Sequence, residues 1–400
     1  MIAPGELLAG VRMLDIGTLL AGPGAATLLA DHGAEVLKVE RPDGGDTMRG
    51  FGPFDDGESL TFAVEGRNKK SVTLDMRTAQ GQDILRRLAA ESDVVIENFR
   101  PGTLDRWGLA YEDLRVVNPG IVMLSVSGFG QTGPNASRPG YDRIALAFSG
   151  LLNITGYPDR PPVRFGTAIA DYATALTGAF AVMSALYHRD AMGGAGQQID
   201  LAMYEALFKF SDVMVTAQEK IGLRRERMGN LFFGAAPGDH FRTSSGRYIA
   251  LAIASNTIFE RLCEAMGRTE CVRDPRFATH ASRFDHIEAI NAVVAEWMLS
   301  LPDGEVTAAL EKSDIPFSLI YNADDILADP HYAARGTIAS VEHPRLGTLR
   351  MPGPVPRFTG VRTTPMQPAP ALGADTDQVL EELLGLDAGK RAHLRATGVI

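Results

Sequence analysis

Cysteine is almost missing from this chain: Cys263 and Cys271 are the only two among 400 residues. Neither sits in a Cys-x-x-Cys or Cys/His spacing, which excludes a disulfide framework, offers no zinc site and fits a reducing, cytoplasmic setting. Basic charge is in deficit as well, with 39 Lys and Arg against 49 Asp and Glu, a net charge of -10 and a pI near 5.4. Nucleic acid is therefore not expected as the partner, since duplex binding needs a basic footprint. Long apolar runs are lacking too: Ala173 to Tyr187 is shorter than the roughly 20 residues of a membrane span. Met1 to Gly10 has neither the basic nor the long apolar region of a secretory leader. No membrane role is expected. The eight histidines form no His-Glu-x-x-His pair, and no metal site is expected. Without a Walker A sequence a nucleotide hydrolase is excluded, and without a Gly-x-Ser-x-Gly elbow Ser125 and Ser127 are poor nucleophiles.

What remains is an ordinary globular composition, 45% hydrophobic and 22% charged, long enough for about two domains. Val11–Gly17 reads as a buried strand, Gly22-Pro23-Gly24 opens a helix to about Asp31, and Ala34–Glu40 is the next strand. The rhythm continues with strands at Lys70–Leu74, Asp93–Asn98 and Ile121–Ser127, and a helix over Ala79–Ala90. Such alternation predicts an α/β fold with a parallel, doubly wound sheet. Gln197–Leu201 reads as a further strand, and Met203 to about Lys220 as one long helix. After Tyr248 the pattern of a strand followed by three helices predicts a separate, smaller α+β unit, and the tail is helical again near Asp377–Leu386.

Gly22-Pro23-Gly24 with Glu40 at the end of the next strand imitates a dinucleotide fingerprint, yet Thr27 stands where its third glycine or alanine belongs. Lys38, Arg41, Lys69, Lys70, Arg77, Arg100 and Arg106 lie near expected strand ends, where open sheets bind ligands. A polyphosphate ligand and plain solvated surface charge both account for them.

Asp171 is the only charged residue between Phe165 and Tyr187. A lone carboxylate in apolar surroundings is either hydrogen-bonded or kept for chemistry. As a helix N-cap it would serve the apolar stretch Ala173, Leu176, Ala179, Phe180, Met183, Leu186. On this segment alone capping is the simpler account.

In their order, several segments resemble the class III coenzyme A transferases, the family of formyl-CoA transferase and the carnitine and succinyl-CoA-dependent CoA transferases. They are Leu14-Asp15 through Ala21-Gly22-Pro23, Gly33 through Pro42, Gly45-Asp46, Asn68 through Ser71, and Leu74-Asp75. Further along stand Glu97-Asn98-Phe99-Arg100-Pro101-Gly102, Gly108-Leu109, Ser127 through Pro134 and Gly140-Tyr141-Asp142. Weaker similarity extends to the C-terminal helix.

The resemblance places the family's nucleophilic aspartate on Asp171. It implies transfer of CoA from an acyl-CoA, with succinyl-CoA or another dicarboxyl-CoA as donor, to a carboxylic acid acceptor through an aspartyl-CoA thioester. CoA then enters as substrate, with no permanently bound cofactor. Its contacts carry over to Arg41, to Leu74, Asp75, Met76 and Arg77, to Asn98, Phe99 and Arg100, and to Arg106, while Tyr141 and Asp142 stand beside the nucleophile. Arg164, shortly before Asp171, is a candidate for the distal carboxylate of a dicarboxylic acid.

The related 2-methylacyl-CoA racemases use a histidine and an aspartate as bases. Tyr141 takes the place of that histidine, and a phenol titrating near 10 is a poor base at neutral pH. A CoA-binding protein without catalysis is the other alternative, opposed by the presence of Asp171. The family's glycine-run flap has no counterpart around Met228–His240, so formate or oxalate specificity is not expected. The resemblance further implies a Rossmann-like, CoA-binding large domain begun by residues 1–200 and a helical linker at 201–228. A small α+β domain at 229–319 and a return linker with the rest of the large domain at 320–400 follow, and two chains interlock as a homodimer.

Overall fold

The computed structural model describes residues 6–232, 234–361 and 365–400. Six segments form one parallel sheet: β1 (Arg12–Asp15), β2 (Glu35–Glu40), β3 (Lys69–Thr73), β4 (Val94–Glu97), β5 (Val122–Ser127) and β6 (Gln198–Ala202). Their order across the sheet is β3-β2-β1-β4-β5-β6. The chain builds outward from β1 to one edge, then returns to build the other side from β4. The switch between these halves lies between β1 and β4, the position where doubly wound sheets open a crevice at the carboxyl ends of their strands.

Both faces of the sheet are covered, as apolar parallel strands require. The crossovers include α1 (Ala21–Ala30), α2 (Ala79–Ala90), α3 (Asp142–Phe148) and α4 (Ile169–Met192). Residues of α1, α3 and α4 pack with Met13, Val36, Ile96, Leu124 and Val126 on one face. Residues of α2 and of the C-terminal helices Thr376–Leu384 and Ala388–Ala396 pack with Leu14, Leu37, Val72, Val95 and Met123 on the other. Gly24 allows α1 to lie close to α4, for a Cβ there would come within 3.1 Å of the Ala175 Cβ.

Strand β3 does not leave its edge open. Its Ser71 N–H donates to Asp375 Oδ2 at 2.8 Å, its Thr73 N–H donates to Thr376 Oγ1 at 2.9 Å, and the Asp75 N–H donates to the Val399 carbonyl at 2.7 Å. The C-terminal segment thereby occupies hydrogen-bonding groups that an exposed edge would offer to another chain.

The chain divides into two compact units. The first runs to Leu152 and takes in Phe165–Leu223 and Ala333–Ile400; the second comprises Asn153–Arg164 and Arg224–Tyr332. The expected small domain, 229–319, falls inside this second span. It holds an antiparallel sheet of Gly238–Arg242, Tyr248–Ala252 and Phe317–Leu319, with a core that includes Phe259, Leu262, Ile290, Val294 and Leu310. Cys263 and Cys271 are both buried in that core and unpaired.

Two sequence expectations require correction. The long helix from Met203 breaks at Phe208, tightens into a 3-10 turn over Lys209–Ser211 and resumes only at Met214–Ile221. Asp212 between them has φ 52°, outside helical space. Helix α4 spans 24 residues rather than the shorter apolar stretch read from sequence, and is long and apolar enough to cross a bilayer. Length therefore does not argue against a membrane span; its Ala173, Ala175, Val182 and Ala185 are instead packed into the core of the first unit.

Candidate active site

At the switch point a cavity of about 260 Å³ opens. Thr18–Ala21 follow β1 and Asn98–Pro101 follow β4, and both segments line it, as do the end of β5 at Val126–Gly128, residues Arg138–Tyr141, Thr47, Met203 and Asp171. Of the residues singled out in the sequence, Asn98, Phe99, Arg100, Tyr141 and Asp171 are brought together here. Asn98 is oriented by its neighbour across the switch: the Thr18 N–H donates to its Oδ1 at 2.8 Å, and its Nδ2 donates to the Thr18 carbonyl at 2.7 Å.

Asp171 is the third residue of α4, not its cap; Ala168 holds the cap position and offers no side-chain bond. The free N–H of Ala170 is met by Asp142, whose Oδ1 accepts from it at 2.8 Å. Capping is thus done by the first residue of α3. The Asp171 carboxylate itself has no hydrogen bond or ion pair among the described residues. Burial, and then the nearby charge of Asp142, push it up to about 7. A carboxylate balanced at neutral pH and unshielded by partners is a competent nucleophile or base.

The glycine-rich segment after β5 shapes another part of the cavity wall. Gly128 and Gly140 stack so closely that a Cβ on either would fall 2.7 Å from the other's Cα. The intervening loop is pinched at its base and delivers Arg138 to the cavity, and Tyr141 enters it directly after the pinch. Arg138 lies over the Phe129 ring at 5.0 Å and donates to Asn135 Oδ1 at 3.2 Å. Sequence reading missed Arg138 together with Thr18–Ala21, Thr47 and Met203; the paired glycines at 128 and 140 were the available signal.

The other expected CoA contacts lie along the same carboxyl edge of the sheet, outside the cavity. Arg41 follows β2, and Leu74–Arg77 follow β3. Leu74 and Met76 have buried side chains, so only their backbone can meet a ligand. Asp75 is gripped by Arg77 through Nε and Nη2, each at 2.8 Å, and Arg41 and Arg77 share Asp43 at 3.6 and 3.9 Å. Arg106 is exposed, donating to Thr103 Oγ1 at 3.1 Å. Arg164 is exposed and belongs to the second unit, whereas Asp171 belongs to the first.

Lys38 and Lys69 are not ligand residues. Both are buried, and both pair with Asp15, at 3.4 and 2.9 Å. Glu40 is likewise occupied, by Arg49 Nε and Nη2 at 2.7 Å each and by Ser71 Oγ at 2.6 Å, which removes the ribose-binding role of a dinucleotide fingerprint. Among the described residues, no group of three or more His, Cys, Asp or Glu could hold a metal ion.

The family whose description matches the chain, over residues 8–376, is CoA-transferase family III. The chain belongs to this family. As a family III CoA-transferase it is an enzyme, and its relatives carry that activity in their names. It is 41% identical to succinyl-CoA--D-citramalate CoA-transferase of Chloroflexus aurantiacus, covering 99% of each chain. Identity is 35% to succinyl-CoA:glutarate CoA-transferase of Mus musculus, over 98% of this chain and 90% of the mouse protein. Among solved structures, a CAIB/BAIF family protein from Brucella suis superposes with a TM-score of 0.85 at 34% identity, over 95% of this chain and all of that one.

Proposed function

We propose that this family III enzyme moves CoA from succinyl-CoA or another dicarboxyl-CoA to a carboxylic acid, with Asp171 as nucleophile. The observation that carries the reading is the Asp171 carboxylate, unpartnered and lining a cavity at the switch point of the sheet. Its oxygen attacks the donor thioester carbonyl and expels CoA thiolate, leaving a mixed anhydride. The thiolate then attacks the aspartyl carbonyl, releasing the donor acid and forming an aspartyl-CoA thioester. The acceptor carboxylate attacks that thioester to give a second anhydride. Returning thiolate attacks its acyl carbon, so the new acyl-CoA leaves and Asp171 is restored.

In this reading CoA lies along the carboxyl edge of the sheet. Arg41, Arg77, Arg100 and Arg106 meet its phosphates, the backbone of Leu74–Arg77 its nucleotide end, and Asn98 and Phe99 the stretch leading to the thioester. Tyr141 and Asp142 frame the nucleophile. A dicarboxylic substrate is supported by the names of the relatives, whose acids each carry two carboxylates. Arg138 supports it further: it lines the cavity and has no ion pair among the described residues.

Assembly as a homodimer is part of the proposal. Leu176, Phe180, Met183 and Tyr187 form an apolar stripe along α4 that is 62, 74, 36 and 65% exposed, more than an isolated surface helix leaves in water. Unpaired Cys263 and Cys271 suit a reducing cytoplasm.

The test is to incubate the protein with succinyl-CoA, quench with hydroxylamine, and map the modified peptide by mass spectrometry. Modification confined to the Asp171 peptide is expected, and Asp171→Asn should show neither label nor transfer. Transfer by Asp171→Ala at the wild-type rate would remove the assignment. A 2-methylacyl-CoA kept in heavy water should retain its α-proton; rapid exchange would mark the racemase branch instead.

A further inference from the structure

We infer that Asp46 is a positioning residue for the wall that Thr18–Ala21 give to the cavity of Asp171, acting through the backbone of Gly17–Leu19. The inference rests on the transfer reading above and deepens it.

The wall is an unusual piece of chain. Leu19 holds φ 62°, a left-handed conformation that a leucine rarely adopts unless its surroundings impose it. Directly after it α1 begins with no side-chain cap, and the N–H groups of Leu20, Ala21 and Gly22 have no hydrogen-bond partner among the described residues. Thr18–Ala21 line the cavity with Asp171, so this wall sets what donors and what shape the reacting carbonyl meets.

The backbone just before those groups is held by buried charges. Asp46 Oδ1 accepts the Leu19 N–H at 3.0 Å and the Met48 N–H at 2.9 Å. Its Oδ2 pairs with Lys38 Nζ at 2.9 Å, and the same ammonium donates to the Gly17 carbonyl at 2.5 Å. Asp15 Oδ1 accepts the Gly17 N–H at 3.2 Å, while Asp15 Oδ2 takes Lys69 Nζ at 2.9 Å. Lys69 also donates to the Pro23 carbonyl in the first turn of α1 at 2.8 Å. The four charged side chains are at most 3% exposed.

Buried ion pairs are poor sources of stability, because desolvation cancels most of their attraction, and well-packed apolar groups often serve as well or better. Here their remaining bonds converge on one loop: both polar groups of Gly17, the N–H of Leu19 and the start of α1. That convergence is the signature of a positioning device. Asp46 is its most direct member, since it alone bonds the residue with the left-handed backbone.

The experiment compares Asp46→Ala, which removes acceptor and charge, with Asp46→Asn, which keeps an oxygen for the Leu19 N–H. Turnover and KM for the acyl-CoA are measured beside CoA affinity by calorimetry and the unfolding midpoint. Misplacing reacting groups by about 1 Å costs roughly 10²-fold, so a fall in kcat of that order is expected for Asp46→Ala, with CoA affinity within about threefold of wild type. Asp46→Asn should recover a large part of the lost kcat. Wild-type kcat in a folded Asp46→Ala protein, or equal losses in kcat and CoA affinity, would overturn the role. If Asp46→Ala does not fold, Asp46→Glu decides, since its longer side chain displaces the oxygen that accepts the Leu19 N–H: reduced kcat with intact CoA affinity supports the role, and wild-type kcat ends it. A wild-type protein that transfers no CoA would overturn the transfer reading itself and this role with it, an outcome visible before any variant is made.

Discussion

The Ala170 N–H donates to Asp142 at 2.8 Å, so the helix that carries Asp171 is capped from α3. One acid satisfies the helix and the other is left unbonded beside it. Division of labour between two carboxylates set apart by environment is a familiar way to keep one of them reactive.

Asp142 also raises the proton affinity of Asp171 by its charge. Asp142→Asn keeps an oxygen for the Ala170 N–H and removes that charge. The apparent pKa in the pH profile of kcat/KM, expected near 7 for ionisation of Asp171 in the free enzyme, should therefore move to lower pH, with little change in thermal stability. Asp142→Ala should move it as well and lose about 1 kcal/mol through the missing cap. A midpoint that stays in place in both variants would detach Asp142 from the ionisation of Asp171.

Asp171 should cost stability where it is ionised. Its folded pKa, about 7, exceeds the ordinary 3.8, so the stability it contributes is full below 3.8 and is lost as pH rises through 7. Asp171→Asn keeps the shape without the charge. Chemical denaturation at pH 8 should find that variant more stable than wild type by about 1 to 3 kcal/mol, a figure reduced for the partial exposure of the group. Near pH 4 the gain should mostly vanish. Equal stability at both pH values would mean that Asp171 ionises freely.

Arg41, Arg77, Arg100 and Arg106 should each contribute to CoA affinity. Removing one charge-assisted bond costs roughly 1.5 to 3 kcal/mol. Calorimetry with CoA and with dephospho-CoA on single Ala variants should show at least one arginine whose loss matters for CoA alone, which locates the 3′-phosphate. Wild-type affinity in all four variants would move the nucleotide end of CoA elsewhere.

Arg138 and Arg164 are rival partners for a second carboxylate. Arg138→Gln should reduce transfer to succinate far more than transfer to butyrate, because only the dicarboxylate loses a partner. Arg164→Met should affect the two acids alike. The reverse pattern would return the role to Arg164.

The sheet was legible because parallel strands buried on both faces read as continuous apolar runs, and the helix Ala79–Ala90 begins and ends where its periodicity does. The helix after Met203 was misread because Asp212 leaves helical space without glycine or proline to announce it. At the site, single charges were visible and their partners were not. Lys38 and Lys69 looked like ligand residues until folding joined them to Asp15, 23 and 54 positions away. Asp171 looked like a cap because the residue that does cap the helix, Asp142, lies in another helix 28 positions before Ala170, whose N–H it accepts. Pairings at such distances belong to tertiary structure, and a single sequence carries no mark of them.

The pinch between Gly128 and Gly140 bears on how such an enzyme can change its substrate. The loop leaves and rejoins the fold at one fixed point, and it is held from within as well: Asp200 accepts the Gln131 N–H at 3.0 Å, and Asn135 braces Arg138. Arg138 stands two residues before the pinch, so a change of acid can be made at that one side chain while the loop keeps its seat. A side chain added at either glycine would instead push the whole segment off its seat and carry Arg138 with it.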